Sequence, residues 1–306
     1  MSSSDPSKHP SIRLTGDPKR ATAATQAGAG LHIVSTPIGN LRDITLRAID
    51  VLASVEEVLA EDTRTARKLF DAHGITTKLT AYHDHNGAAR RPELLARLQA
   101  GASLALISDA GTPLVSDPGW KLAREASDLG VPLIPLPGAS AMLAGLVTSG
   151  LPSDRFLFAG FLPAKAAARK RTLMDLVDTP ATLIFYESPA RLAASLADMA
   201  DVLGSNREAA VARELTKLFE ETRRGTLGDL AKDYAAAGKT KGEIVVLVGP
   251  PLAPAKPTEA ELDAALRRAL AAAPTKVAAA EIASRFDLPR REVYARALAL
   301  KSGDHG

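Results

Sequence analysis

Charged and hydroxyl side chains in this chain gather just past the ends of apolar runs, the position where an open α/β sheet keeps its ligand crevice. After the run 208–212, the segment Ala212-Arg-Glu-Leu-Thr-Lys217 places Arg213, Glu214 and Lys217 together beyond a strand end. Charges crowded there are costly unless paired or used, so a site is favoured over a structural salt bridge. The run Leu183 to Tyr186 delivers Glu187, and Arg191 follows four residues later, at helical pairing distance. Ser188 would cap that helix and Pro189 would open it. Ser140, in Gly138-Ala-Ser-Ala-Met142, stands at another helix start, where a hydroxyl and free amides either cap the helix or bind a polar ligand. Asp109 enters the tight turn Ser108-Asp-Ala-Gly-Thr-Pro113 directly after the run 104–107. Lys165, Arg169, Lys170 and Arg171 form a cationic group that can track phosphates or solvate a helix face.

Other chemistries lack their signatures. No G-x-G-x-x-G follows the first apolar run, which leads into Ser35-Thr-Pro-Ile-Gly-Asn40. Gly238-Lys239-Thr240 looks like the end of a phosphate loop, but Asp233 stands where the upstream Gly belongs and the segment precedes a strand. No nucleophile elbow is present. His83-Asp84-His85, with Asn86, would share a face if extended, yet no third metal ligand lies at a fixed spacing. That segment reads instead as a substrate-facing loop or a solvated turn ending at Gly87. There are no cysteines, which excludes disulfides and thiolate chemistry and suits a cytoplasmic protein.

The elements that must position these residues alternate. Strands are expected at 31–35, 55–60, 78–82, 104–108 and 131–136, and helices at 44–53, 64–73, 88–100, 118–129 and 139–149. That order predicts a mostly parallel sheet covered on both faces. Gly150-Leu-Pro-Ser-Asp154 is a break between domains 31–150 and 151–250. Beyond it, strands at 156–161, 181–186, 208–213, 218–224 and 243–248 are separated by helices at 189–203 and 226–236. The connections are short, which predicts a mixed sheet. Pro250 to Pro257 is a stiff proline-rich linker, followed by short helices at 258–272, 275–285 and 289–300. This tail, 251–306, resembles a helix-turn-helix module; the alternative is a helical cap.

At 306 residues and 46% apolar content the chain can hold two ordinary cores, and no apolar run is long enough to span a bilayer. Residues 1–30, rich in Ser, Thr, Ala and Gly, read as a disordered tail. The body, 31–250, holds 25 Lys and Arg against 26 Asp and Glu, so the net charge of +3 resides in the two ends. That distribution admits a nucleic-acid partner without requiring one.

Taken together, these segments resemble the tetrapyrrole methylase superfamily, and within it the branch that methylates ribose in small-subunit ribosomal RNA. The resemblance rests on Ser35-Thr-Pro-Ile-Gly-Asn-Leu-Arg-Asp43, Glu61-Asp-Thr-Arg64, His83-Asp-His-Asn86, Ser108-Asp-Ala-Gly-Thr-Pro113 and Pro137-Gly-Ala-Ser140. It continues through Gly160-Phe-Leu-Pro163, Phe185-Tyr-Glu-Ser188, Ala212 to Lys217 and Gly242-Glu-Ile-Val245. It implies two αβα domains with S-adenosylmethionine in the cleft between them, a small C-terminal helical domain and a homodimer. It implies cofactor contacts from Pro37, Asp109, Gly111, Thr112, Ser140 and Ala141, with Leu162, Ala212 and Gly242 bordering the adenosine. The implied target is a decoding-region cytidine of 16S rRNA, met free or in the small ribosomal subunit. A ribose hydroxyl is a poor nucleophile, so a base or polarising cation should help; Glu187, Glu214 and Asp62 are candidate bases, and Lys217 a catalytic cation. Arg64, His83, Asn86, Lys165, Arg169 and Arg213, beside Asp62, are candidate RNA contacts. A porphyrin-type C-methyltransferase of the same fold and a non-catalytic RNA-binding protein are the competing readings.

Overall fold

In the computed structural model, which describes residues 27–116, 119–252, 257–286 and 288–303, the apolar runs become strands. β1 (Gly30–Val34), β2 (Glu57–Ala60), β3 (Leu79–Ala81), β4 (Ser103–Ile107) and β5 (Leu133–Leu136) form a sheet in the order β3-β2-β4-β1-β5. Every pairing in it is parallel. The intervening helices are α1 (Leu46–Ser54), α2 (Thr63–His73), α3 (Asp84–Gln99) and α4 (Trp120–Asp128), and α5 (Ala141–Ser149) follows β5. The chain winds outward through β1, β2 and β3, then returns through β4 and β5. Right-handed crossovers therefore put α1 and α2 on one face and α3 and α4 on the other. The strands supply both faces by alternation: Leu104 and Leu106 pack with Leu94 and Leu122, while Ala105 and Ile107 pack with Leu52 and Phe70.

The second sheet contains β6 (Phe156–Phe161), β7 (Thr182–Glu187), β8 (Glu208–Arg213), β9 (Glu221–Thr226) and β10 (Ile244–Val248), in the order β6-β7-β10-β8-β9. Only β6 and β7 run parallel; β10 is antiparallel to both of its neighbours. This is the mixed sheet that short connections predict. On one face α6 (Ala166–Met174), α7 (Leu192–Leu203) and α8 (Leu227–Ala236) bury Leu173, Leu196, Met199 and Leu230 against Phe185, Val211 and Val246. The other face is covered by α5, whose Leu146 packs among Ile184, Ala210 and Leu247. The last helix of the first half thus seals the second sheet.

Two local expectations are corrected. The helix after β7 starts at Leu192, not Pro189, because the Glu187 carboxylate accepts from the Ser188 N–H at 2.7 Å and from the Ser195 hydroxyl at 2.5 Å, holding 188–190 as a turn. His83, Asp84 and His85 are not extended: α3 begins at Asp84. The cationic run takes the helical alternative: Lys165 is the N-cap of α6, and Arg169, Lys170 and Arg171 lie within it, Arg169 on its buried face. The expected disordered tail falls outside the described residues up to residue 26, and Gly30 already opens β1.

Glu57, at the far end of β2, is 1% exposed and bound by Lys78, Arg97 and Thr80. Burial alone would raise its pKa, but the Thr80, Arg97 and Lys78 contacts bring it down from 4.5 to about 2. A carboxyl depressed by folding stabilises fully above its free pKa and loses that contribution as pH falls toward its folded one. Glu57→Gln should therefore remove about 3 kcal/mol at neutral pH, as read by urea denaturation. The gap between variant and parent should close between about pH 4.5 and pH 2; a constant gap would show that the charge is irrelevant.

The chain divides into two compact units between Pro250 and Pro251. The second contains α9 (Glu259–Ala272), α10 (Thr275–Arg285) and α11 (Arg290–Gly303), with Leu266, Ile282, Val293 and Ala297 at its centre. Thr258 and Glu261 cap α9 reciprocally, and Arg296 of α11 binds Asp263 of α9 at 2.8 Å.

Candidate active site

Loops from both sheets converge on a cavity of about 700 Å³. The first sheet contributes the segments after β1, β4 and β5, including Ser35, Gly111, Thr112 and Ser140. The second contributes the ends of β6 and β7, Leu215 after β8, and the start of β10 at Gly242 to Val245. The β1 and β4 loops are locked together. Thr36 N–H donates to the Gly111 carbonyl at 2.8 Å, Gly111 N–H returns a bond to Thr36 at 3.0 Å, and the Ser35 and Thr112 hydroxyls lie 2.9 Å apart. Ser140 occupies the N-cap position of α5, yet its hydroxyl makes no capping bond. With Ala141 and Met142 it lines the cavity, leaving a hydroxyl and first-turn amides for a ligand.

The loops of the second half are stitched to one another. Glu214 N–H donates to the Glu243 carbonyl at 2.9 Å, and Glu243 N–H donates to the Glu214 carboxylate at 3.0 Å. Lys217 Nζ sits 2.8 Å from Glu214 and 3.3 Å from Glu243. The Lys217 ammonium and the Glu243 backbone N–H hold the Glu214 carboxyl below the usual range. Burial would lower the Lys217 pKa, but the two carboxylates outweigh it and the ammonium is raised. The Lys217 stem also lies against the first half: a Cβ on Gly39 would fall 2.5 Å from Lys217 Cγ.

Gly111, Thr112, Ser140, Ala141, Gly242 and Glu187 are brought together around the cavity. Pro37 and Asp109 instead line a neighbouring space of about 50 Å³, where Asp109 accepts from the Asp62 N–H at 3.0 Å. Leu162 and Ala212 do not line the cavity, because their side chains are consumed in the cores under α6–α7 and under α5. Glu214 and Lys217 stand behind Gly242 rather than in the lining. Arg169 is withdrawn from RNA contact: it is 4% exposed, held 2.6 Å from Asp198, and donates to the Ala164 carbonyl at 3.1 Å. Asn86 is also occupied locally, accepting from His83 N–H and donating to the Ala81 carbonyl, both at 2.9 Å. Arg213 pairs with Glu221 at 3.1 Å. Asp62 caps α2 and grips Arg64 at 2.7 Å; the Arg64 contacts bring its pKa down to about 2. Arg64 itself and Lys165 remain exposed. Tyr186 and Glu243 are lining residues that sequence reasoning did not single out. No group of three or more metal-binding side chains occurs among the described residues.

The lining suits a cationic, partly apolar donor of nucleoside size. Among the described residues it carries two carboxylates, Glu187 and Glu243, and no Lys, Arg or His. Its volume lies in the range of small-molecule sites, and the unengaged Ser140 hydroxyl and α5 amides are available for polar groups. S-Adenosylmethionine, with its sulfonium charge, fits this description.

The family description "Tetrapyrrole (Corrin/Porphyrin) Methylases" matches residues 30–231, and "RsmI C-terminal HTH domain" matches residues 256–301. A curated relative from Mesorhizobium japonicum, ribosomal RNA small subunit methyltransferase I, is 54% identical over 281 residues, covering 90% of this chain and 95% of that protein. Proteins of the same name from Pseudomonas aeruginosa and Escherichia coli O157:H7 are 48% and 43% identical, covering 88% and 92% of this chain and 96% and 98% of theirs. Among solved structures, a diphthine synthase superposes with a TM-score of 0.56 at 16% identity, covering 72% of this chain and 89% of its own. Uroporphyrin-III C-methyltransferase from Thermus thermophilus, complexed with S-adenosylhomocysteine, gives 0.52 at 18% identity, covering 72% and 97%. At those identities the structures speak to the fold alone.

Proposed function

The chain belongs to the tetrapyrrole methylase family, and from that premise we propose that it methylates small-subunit ribosomal RNA with S-adenosylmethionine, at the ribose 2′-hydroxyl of a decoding-region cytidine. The observation that carries the reading is the cation-free cavity at the strand ends, with a loop rim of exposed lysines beside it. The relatives named above, each a small-subunit rRNA methyltransferase, supply the substrate class.

When bound, the donor supplies an electrophilic methyl group on a positive sulfur. The chain's part is to hold and orient. The paired β1 and β4 loops, the Ser140 hydroxyl and the α5 amides fix one side of the ligand, and the Gly242 loop fixes the other. Holding two reactants in a near-attack arrangement contributes on the order of 7–11 kcal/mol in well-oriented cases. RNA phosphates have the exposed Lys165 available, together with Lys239 and Lys241, exposed on the loop that leads to Gly242. Replacing Lys239 and Lys241 with alanine should weaken RNA binding and flatten the slope of log affinity against log salt by about one per lysine removed. An unchanged slope would take both lysines off the RNA path.

The deciding experiment incubates the protein and labelled donor with small subunits, or their free rRNA, from cells lacking the gene. Mass mapping should place one new methyl on a cytidine ribose. Label entering a tetrapyrrole instead would support the C-methyltransferase reading. Binding of RNA without donor affinity would support the non-catalytic alternative.

A homodimer is part of the proposal. Leu143 and Val147 on α5 and Phe156 on β6 leave apolar surface exposed, and sedimentation velocity would read the assembly. Among the described residues no helix is long and apolar enough to cross a membrane; a cytoplasmic location is part of the proposal, supported by the rRNA substrate.

A further inference from the structure

Each carboxylate that the sequence offers as a proton acceptor is already engaged. Glu187 is 1% exposed and accepts from Ser188, Arg191 and Ser195. Glu214 accepts from Lys217 and from the Glu243 amide, behind the lining. Asp62 is gripped by the Arg64 side chain and main chain. Glu187 and Asp62 spend both oxygens on these donors, and Glu214, with both bonds on Oε1, stands outside the cavity lining. Glu243 differs. It lines the cavity, its side chain is 72% exposed, and among the described residues its ion-pair partner is Lys217, at 3.3 Å from one carboxylate oxygen.

We propose that Glu243 is the catalytic carboxylate that binds the target ribose 2′-hydroxyl and takes its proton. The proposal rests on the methyltransferase reading above and names the acceptor within that site. As the hydroxyl oxygen forms its bond to the methyl carbon, the S–CH₃ bond breaks and its electron pair stays on sulfur. The hydroxyl proton passes to a Glu243 oxygen and from there to water, which the exposed side chain reaches. Position is supplied by the backbone: the paired Glu214 and Glu243 main chains hold the residue at the start of β10. Lys217, shared with Glu214, lies against one Glu243 oxygen and leaves the other facing the cavity side.

The test pairs two variants with two RNAs. Wild type, Glu243→Gln and Glu243→Ala are assayed on small subunits carrying ordinary 16S rRNA, or rRNA with a single 2′-deoxycytidine at the methylated position. In single turnover, Glu243→Gln should be slower by about 10²–10⁴-fold, with donor affinity by calorimetry within twofold of wild type. Binding measured with S-adenosylhomocysteine should show wild type preferring ribose to deoxyribose by several-fold and Glu243→Ala losing that preference. Near-normal turnover in Glu243→Gln, or a ribose preference surviving in Glu243→Ala, overturns the assignment. A collapse of donor affinity in both variants also overturns it, since Glu243 would then serve the cofactor loop. If wild type itself fails to methylate the rRNA, the functional reading falls, and that result is separate from these.

Discussion

Glu187→Ala should cost about 3–5 kcal/mol of stability and raise the dissociation constant for S-adenosylmethionine by more than tenfold. The carboxylate sits among three donors: Ser188 N–H at 2.7 Å, Arg191 Nη2 at 2.6 Å and Ser195 Oγ at 2.5 Å. Ser195 is fully buried, so truncation strands a hydroxyl and a half-buried guanidinium without their acceptor. The damage should reach the cavity because Tyr186, Ser188 and Pro189, on either side of Glu187, line it. Glu187→Gln keeps an acceptor for Ser188 and Arg191 and should lose only about half as much. Urea denaturation and calorimetry on both variants distinguish this from a role in proton transfer, which would reduce turnover in Glu187→Gln while leaving folding and donor affinity intact.

Gly242→Ala should likewise weaken donor binding by more than tenfold. Gly242 has φ of +94°, and a Cβ there would lie 2.5 Å from Glu214 Cγ and Cδ. Alanine must therefore take up a strained backbone, at about 1–3 kcal/mol, and also push Glu214 off Lys217 and the Glu243 amide. Those bonds hold the start of β10 against the cavity. Gly238 provides the control: its φ is +76°, but a Cβ would meet nothing within 4 Å. Gly238→Ala should lose about 1 kcal/mol of stability and keep donor affinity. Equal donor affinities for the two variants would show that the contact between Gly242 and Glu214 does not matter.

Much of this was legible in the residues. The apolar runs that became β1 to β5 are bounded by Gly, Pro and small polar residues, so strand ends and ligand-facing loops could be read from the same signal. The Ser140 site followed from that rule. The rule failed where its premise failed. It looks beyond the carboxyl ends of strands, but β10 is antiparallel and brings its amino end, Gly242 and Glu243, to the site. Antiparallel insertion leaves no mark in the run Ile244 to Val248, which is apolar throughout because that strand is central. Pairing was equally hidden. Arg169 looks like its neighbours Lys170 and Arg171 in sequence, and only the packing of α6 on α7 sets it against Asp198. The three candidate bases share one feature the sequence did not reveal: each pairs with a cation at i+2, i+3 or i+4, and sequence spacing alone does not say whether such a pair will close.

The central place of β10 also fixes when activity can arise during synthesis. The first sheet is complete once Leu136 has left the ribosome, and it can fold while translation continues. In the second sheet β7 and β8 do not touch; the strand between them is the last of the ten to be made. A nascent chain halted after α8 would hold one finished layer and one split one, with apolar strand edges open to aggregation. The methyl-donor cleft is thus completed only when β10 emerges, after every other strand and with only the C-terminal helices still to be made.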